Sequence, residues 1–158
     1  MKKGILTVMS LIGGVALGTG VTGKIWKDKV IERAKMSEKH LTLYLMMNQW
    51  VKVKQENKSI VKYLEKQGYK EVAIYGMNYV GETLLRELEG SNIKVMYGID
   101  KNAANIRSDI EIKTPDSELP MVDVIIVTAI TFFEEIEEAL YSKIDCPILS
   151  MEDILYEI

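Results

Sequence analysis

The sequence predicts an α/β fold with a doubly wound, five-stranded parallel sheet. Three observations lead there. Short β-branched runs alternate with amphipathic helical stretches from about residue 70 to the end. The runs are nearly continuous in apolar residues, as strands covered on both faces are. A glycine turn, Gly76 to Gly81, closes the first run and opens a helix. Right-handed crossovers then give the strand order 3-2-1-4-5.

The chain has 158 residues, of which 47% are hydrophobic and 27% charged, the balance of a globular protein. Its net charge of −3 conceals an asymmetry. Residues 1–66 sum to +8 and residues 67–158 to −11. An acidic second half excludes nucleic acid as its ligand, because phosphate backbones require a cationic footprint. The single cysteine, Cys146, has no disulfide partner, and with one histidine, His40, no zinc site is expected.

Residues 4–23 carry no charge. About 20 residues at 1.5 Å each span a bilayer core of about 30 Å. Lys2 and Lys3 precede the run, and Lys24, Lys27, Lys29, Arg33, Lys35 and Lys39 follow it, with Trp26 at the interface position. The expectation is a membrane anchor at 1–23, a single pass through the cytoplasmic membrane with the rest of the chain in the cytoplasm. A cleaved signal peptide and an interfacial helix are the alternatives. Gly14 and Gly18 form a GxxxG pattern, a face for a homodimer within the membrane.

Residues 24–67 are expected to form a helical stalk and packing helices. Val30, Ala34, Leu41, Tyr44, Leu45, Asn48 and Val51 recur at three- and four-residue steps. Ser37 is a candidate N-cap, Asn57 or Ser59 a second, and Gly68 the glycine that ends the second helix. Leu41, Met46, Met47 and Trp50 are expected to pack against the following domain.

In residues 68–158, "EVAIY" (71–75) is the first strand, and "YVGETLLRELEG" the helix after it, closed by Gly90. "IKVMYGI" (93–99) and "DIEIK" (109–113) follow as strands. "VDVIIVTAI" (122–130) is the most strand-like run, and "PILS" (147–150) the fifth. "TFFEEIEEALYSK" opens on Thr131 with Glu134 three residues on, a capping-box pattern with acids in the first turns. Ser150 and Asp153 open the last helix.

Topology fixes the ligand position, the crevice at the carboxyl ends of strands 1 and 4. Gly76, Asn78, Tyr79 and Gly81 follow strand 1 there, Asp100 follows strand 2 and Thr128 follows strand 4. Gly76 permits the tight turn, and Gly81 permits close helix packing. Free amides at the helix start receive phosphate. Asp100 lies 19 residues after Gly81, the distance at which an acid meets a ribose diol, and it would favour NAD over NADP. Asn78 stands where a glycine would let pyrophosphate approach. Asparagine tolerates positive φ, so the turn is expected to survive with weakened phosphate contact.

"VAIYGMNYVGETLLRELEGSNIKVMYGIDKN" with "VDVIIVTA" resembles the Rossmann-like modules of bacterial surface-polysaccharide proteins. Among these are the amino-terminal domains of membrane-bound nucleotide-sugar dehydratases and of sugar acyltransferases. The resemblance covers about residues 70–150. It implies a nucleotide or nucleotide sugar, or NAD, held by Gly76, Gly81 and Asp100, with Asn78 a departure from the pattern. No catalytic set is visible: Tyr97 and Lys101 have Tyr-x-x-x-Lys spacing but not on a helix, and no histidine lies in the module. The expectation is therefore a binding module that serves a polysaccharide-assembly enzyme as partner. The alternative is a non-catalytic interaction protein that keeps the fold without a ligand.

Overall fold

The computed structural model describes the backbone of residues 2–158 and the side chains of residues 26–158. The chain divides into two compact units, Met1–Thr42 and Leu43–Ile158. Helix α1 runs Lys2–Gln55. Ser37, expected as a cap, lies inside it, with no proline or glycine after Gly23 to stop the helix.

The expectation of a transmembrane helix at 1–23, and with it a single-pass location, is corrected. Among the described residues no helix is long and apolar enough to cross a membrane. From Trp26 onward α1 bears Lys27, Asp28, Lys29, Glu32, Arg33, Lys35, Glu38 and Lys39, a charge density that a bilayer core does not accept. The side chains of 4–23, and the Gly14–Gly18 pattern with them, lie outside the described residues.

The second unit holds the parallel sheet. Strands β1 Glu71–Tyr75, β2 Lys94–Ile99, β3 Ile112–Lys113, β4 Val124–Val127 and β5 Ile148–Ser150 lie in the order β3-β2-β1-β4-β5, all parallel. β1 is central: Val72, Ala73, Ile74 and Tyr75 face Val124, Ile125, Ile126 and Val127 across one edge and β2 across the other. All four β4 residues are buried, which explains their unbroken β-branched run.

The faces are filled differently. On one, Val72, Ile74, Val124 and Ile126 pack with Met46, Trp50 and Val53 of α1 and with helices α2 (Ile60–Gln67), α3 (Tyr79–Leu88) and α5 (Met151–Glu157). On the other, Ala73, Tyr75, Ile125 and Val127 pack with Tyr97, Ile99 and with Ile136 and Leu140 of α4 (Phe133–Tyr141). Met46 and Trp50 are in the core as expected; Leu41 is not, and stands 57% exposed.

Local signals account for most ends. The Ser59 hydroxyl accepts the Lys62 amide proton, and Gly68 takes φ +86 to close α2. The capping box expected at Thr131 does not form. A 3-10 turn, Ile130–Phe132, intervenes and α4 starts at Phe133 without a side-chain cap. At the other end of the sheet, the Asp123 carboxylate accepts the amides of Lys70 and Glu71, at 2.7 and 2.8 Å, and so secures the start of β1.

Candidate functional site

The turn after β1 begins at Gly76, whose φ is +95. A Cβ there would stand 2.8 Å from Thr128 Oγ1, so the position accepts only glycine without rearrangement. Thr128 is fully buried. Its hydroxyl lies 2.5 Å from the Gly76 carbonyl oxygen and 3.1 Å from that of Tyr75, and its amide donates to Tyr75 at 2.9 Å. The residue expected at the ligand crevice instead ties β4 to the base of the turn.

Asp100 ends β2 and reaches across to the same turn. Its Oδ2 accepts the Met77 amide proton at 3.0 Å and its Oδ1 accepts that of Asn102 at 2.8 Å. An ionised carboxylate has about four lone-pair sites. Two remain on Asp100, with the carboxylate already oriented. The Met77 side chain is buried beside Gly98 and Gly81, so the turn is anchored below as well.

Asn78 does not take the positive φ expected of it. Its φ is −95, and it is the N-cap of α3: Oδ1 accepts the Val80 amide proton at 3.0 Å. The departure from glycine therefore satisfies one of the amides that a phosphate would use. Gly81 behaves as expected, since a Cβ there would collide with the Gly76 carbonyl. Tyr79 is 89% exposed at the first turn of α3.

Above the turn is an open cleft of about 690 Å³ on the α4 side of the sheet. Gly76, Asn78 and Asp100 line it; Tyr79, Gly81 and Thr128 do not. The other walls are Lys101 and Asn102, the 114–116 loop after β3, Phe132 just before α4, and Glu135, Ile136 and Ala139 along it. Lys143 joins two of these walls: its Nζ donates to the Pro115 carbonyl at 3.0 Å and to Asp116 Oδ1 at 3.1 Å. These residues escape a reading of the sequence, because only the return of the chain at α4 brings them opposite the turn.

The cleft's charges decide what it suits. Asp100, Asp116 and Glu135 face Lys101 and Lys143, one formal negative charge in excess. Tyr75 stands at the floor, and burial, with Asp100 and Asp116 nearby, pushes its phenol above the ordinary value, so it stays protonated as a donor. Such a lining offers Asp100 and Tyr75 to hydroxyl groups and Ile136 and Ala139 to an apolar face. Cys146 is half-buried and lies elsewhere, beside Tyr97 and Pro120; burial raises its thiol, which disfavours the thiolate. Tyr97 donates to the Pro120 carbonyl at 2.7 Å, and burial pushes its phenol up to about 12. Among the described residues no group of three or more His, Cys, Asp or Glu side chains could hold a metal ion.

No protein-family model matches this chain. No curated protein matches it, and no solved structure does.

Proposed function

We propose that the second unit is a binding module for a nucleotide or a nucleotide sugar, held in the cleft above the Gly76 turn. One observation carries the reading: Asp100, Gly76 and Asn78, the N-cap of α3, line one 690 Å³ cleft at the switch point between β1 and β4. Open α/β sheets bind ligands at this point. In this reading the free lone pairs of Asp100 accept the ribose hydroxyls, while the sugar or base lies along Phe132, Ile136 and Ala139. The phosphates receive fewer amides than usual, because Asn78 occupies that of Val80. The ligand would be recognised chiefly by its hydroxyls. The resemblance of residues 70–150 to modules of surface-polysaccharide proteins supports a role in presenting such a ligand to an assembly enzyme.

A second reading has its own observation. Met77 and Val80 amides are both satisfied within the chain, so the turn needs no ligand to be complete. A protein that keeps the fold and only docks partners would look the same there. Thermal melting of the full chain separates the two. A ligand at 100 times its Kd stabilises by about 2.7 kcal/mol. A rise in Tm with a uridine-diphosphate sugar or NAD supports the binding module; no rise with either at millimolar concentration supports the docking protein.

A further inference from the structure

Helix α1 has two apolar faces, and the α/β core uses only one. Met46 and Val53 are buried at 0% and 2% exposure, with Trp50 beside them. On the opposite side Val30, Leu41, Tyr44 and Val51 are 60%, 57%, 67% and 52% exposed. Their spacing is not random. Val30, Ser37, Tyr44 and Val51 stand seven residues apart, and so do Ala34, Leu41 and Asn48, four residues after the first three of that series. A strict seven-residue repeat with steps of four and three is the seam of a left-handed coiled coil, with the first series at d and the second at a. Met46 and Val53 fall at f, directly opposite the seam, which is why one helix can serve both the core and a partner.

We propose that this seam pairs in parallel with the same seam of a second copy of the chain. Three features of α1 choose that occupant. The repeat is self-complementary over residues 30–51, about 33 Å of helix. Asn48 occupies an a position, where two asparagines face each other across a parallel, in-register dimer and fix its register at some cost in stability. Arg33 at g and Glu38 at e are five residues apart and of opposite charge, so each meets its counterpart on the other copy. Ile31 and Leu45 at e positions, 45% and 46% exposed, widen the apolar strip. Ala34 and Ser37 are small, so the attraction rests on Leu41, Tyr44 and Val51.

Sedimentation equilibrium of the full chain tests the pairing. The expected mass is twice 17.9 kDa. Leu41→Asp and Val51→Asp should each weaken the dimer tenfold or more and leave the helical circular dichroism and the melting of the α/β unit unchanged, since both side chains are exposed. A wild-type monomer at the highest soluble concentration overturns the proposal, and so does a dimer that Leu41→Asp leaves intact. Orientation has its own readout. Asn48→Cys in a Cys146→Ser background should form an intermolecular disulfide on mild oxidation, because facing a positions lie within disulfide reach. A dimer that forms none overturns the parallel, in-register arrangement.

Discussion

The Asp100 carboxylate accepts the Met77 amide proton at 3.0 Å, which ties the end of β2 to the turn after β1. The same carboxylate accepts the Asn102 amide at 2.8 Å. Asp100 thus builds the cleft that it is proposed to serve. Asp100→Ala leaves two backbone amides without their acceptor, at a cost of about 1–3 kcal/mol for each one that water cannot reach. Chemical denaturation should show the loss without any ligand present. An unchanged midpoint would mean that the turn stands without Asp100.

Gly76→Ala is expected to be worse than its size suggests. Left-handed backbone costs an L-residue about 1–2 kcal/mol. In addition, the new Cβ would stand 2.8 Å from Thr128 Oγ1 and 3.1 Å from the Ala129 nitrogen. Urea unfolding should show a loss above that backbone figure, and Thr128→Ser, which keeps the hydroxyl, should show a smaller one.

Asn78→Gly separates capping from binding. Glycine replaces asparagine at an N-cap for only a few tenths of a kcal/mol. The exchange releases the Val80 amide for phosphate. Stability should hardly change, while affinity for a diphosphate ligand should rise. Equal affinity in the two proteins, measured by calorimetry, would remove Asn78 from the account of phosphate contact.

Asp123 predicts a pH dependence. The Glu71 amide, and then that of Lys70, hold its carboxyl below the ordinary value of 3.8. A folded-state pKa depressed in this way contributes stability that is full above the unfolded value. That stability is lost as pH falls through the folded one. Its window therefore lies below about pH 4. Asp123 is largely exposed, so the effect is modest. Asp123→Asn should flatten the acid limb of a stability-against-pH curve, leaving the neutral region nearly level. A limb of unchanged slope would assign the acid sensitivity elsewhere.

Trp50 reports on the contact between α1 and α3. Its Nε1 donates to Glu87 Oε2 at 2.7 Å, and Lys54 Nζ lies 3.0 Å from Glu87 Oε1, an ion pair not aligned as a hydrogen bond. The Glu87 side chain is 9% exposed. Trp50→Phe keeps most of the packing and removes the donor from a buried carboxylate, so a loss of about 1.5–3 kcal/mol is expected in urea unfolding. An unchanged midpoint would mean that Lys54 alone suffices.

The sheet was legible because its signal is local. Val72, Ile74 and the 124–127 run are buried on both sides, and burial of both faces leaves an unbroken apolar record in the sequence. β3 was legible only in place: two residues, Ile112 and Lys113, pair where five were expected, since an edge strand has one neighbour to hold it. The membrane expectation rested on residues 4–23 alone, whereas α1 continues without a break through the charged stretch from Lys27 to Lys39. Around the turn, the tight bend at Gly76, the close packing at Gly81 and the position of Asp100 at the end of β2 could be read from spacing, although Gly81 does not line the cleft. Thr128 could not be told from a ligand-facing residue until its hydroxyl was seen on the Gly76 carbonyl. Asn78 read as a compromised glycine, yet it is a working helix cap, and an asparagine one residue before a helix offers that alternative in the sequence itself.

The central claim is that Asp100 receives a ribose diol, and it can be tested without altering the protein. Calorimetry of the full chain with uridine diphosphate and with 2′-deoxyuridine diphosphate compares two ligands that differ by one hydroxyl. A hydrogen bond to a charged group is worth about 1.5–3 kcal/mol, so the ribonucleotide should bind about tenfold more tightly, or better. Equal affinities, or no heat from either at millimolar concentration, would contradict the account.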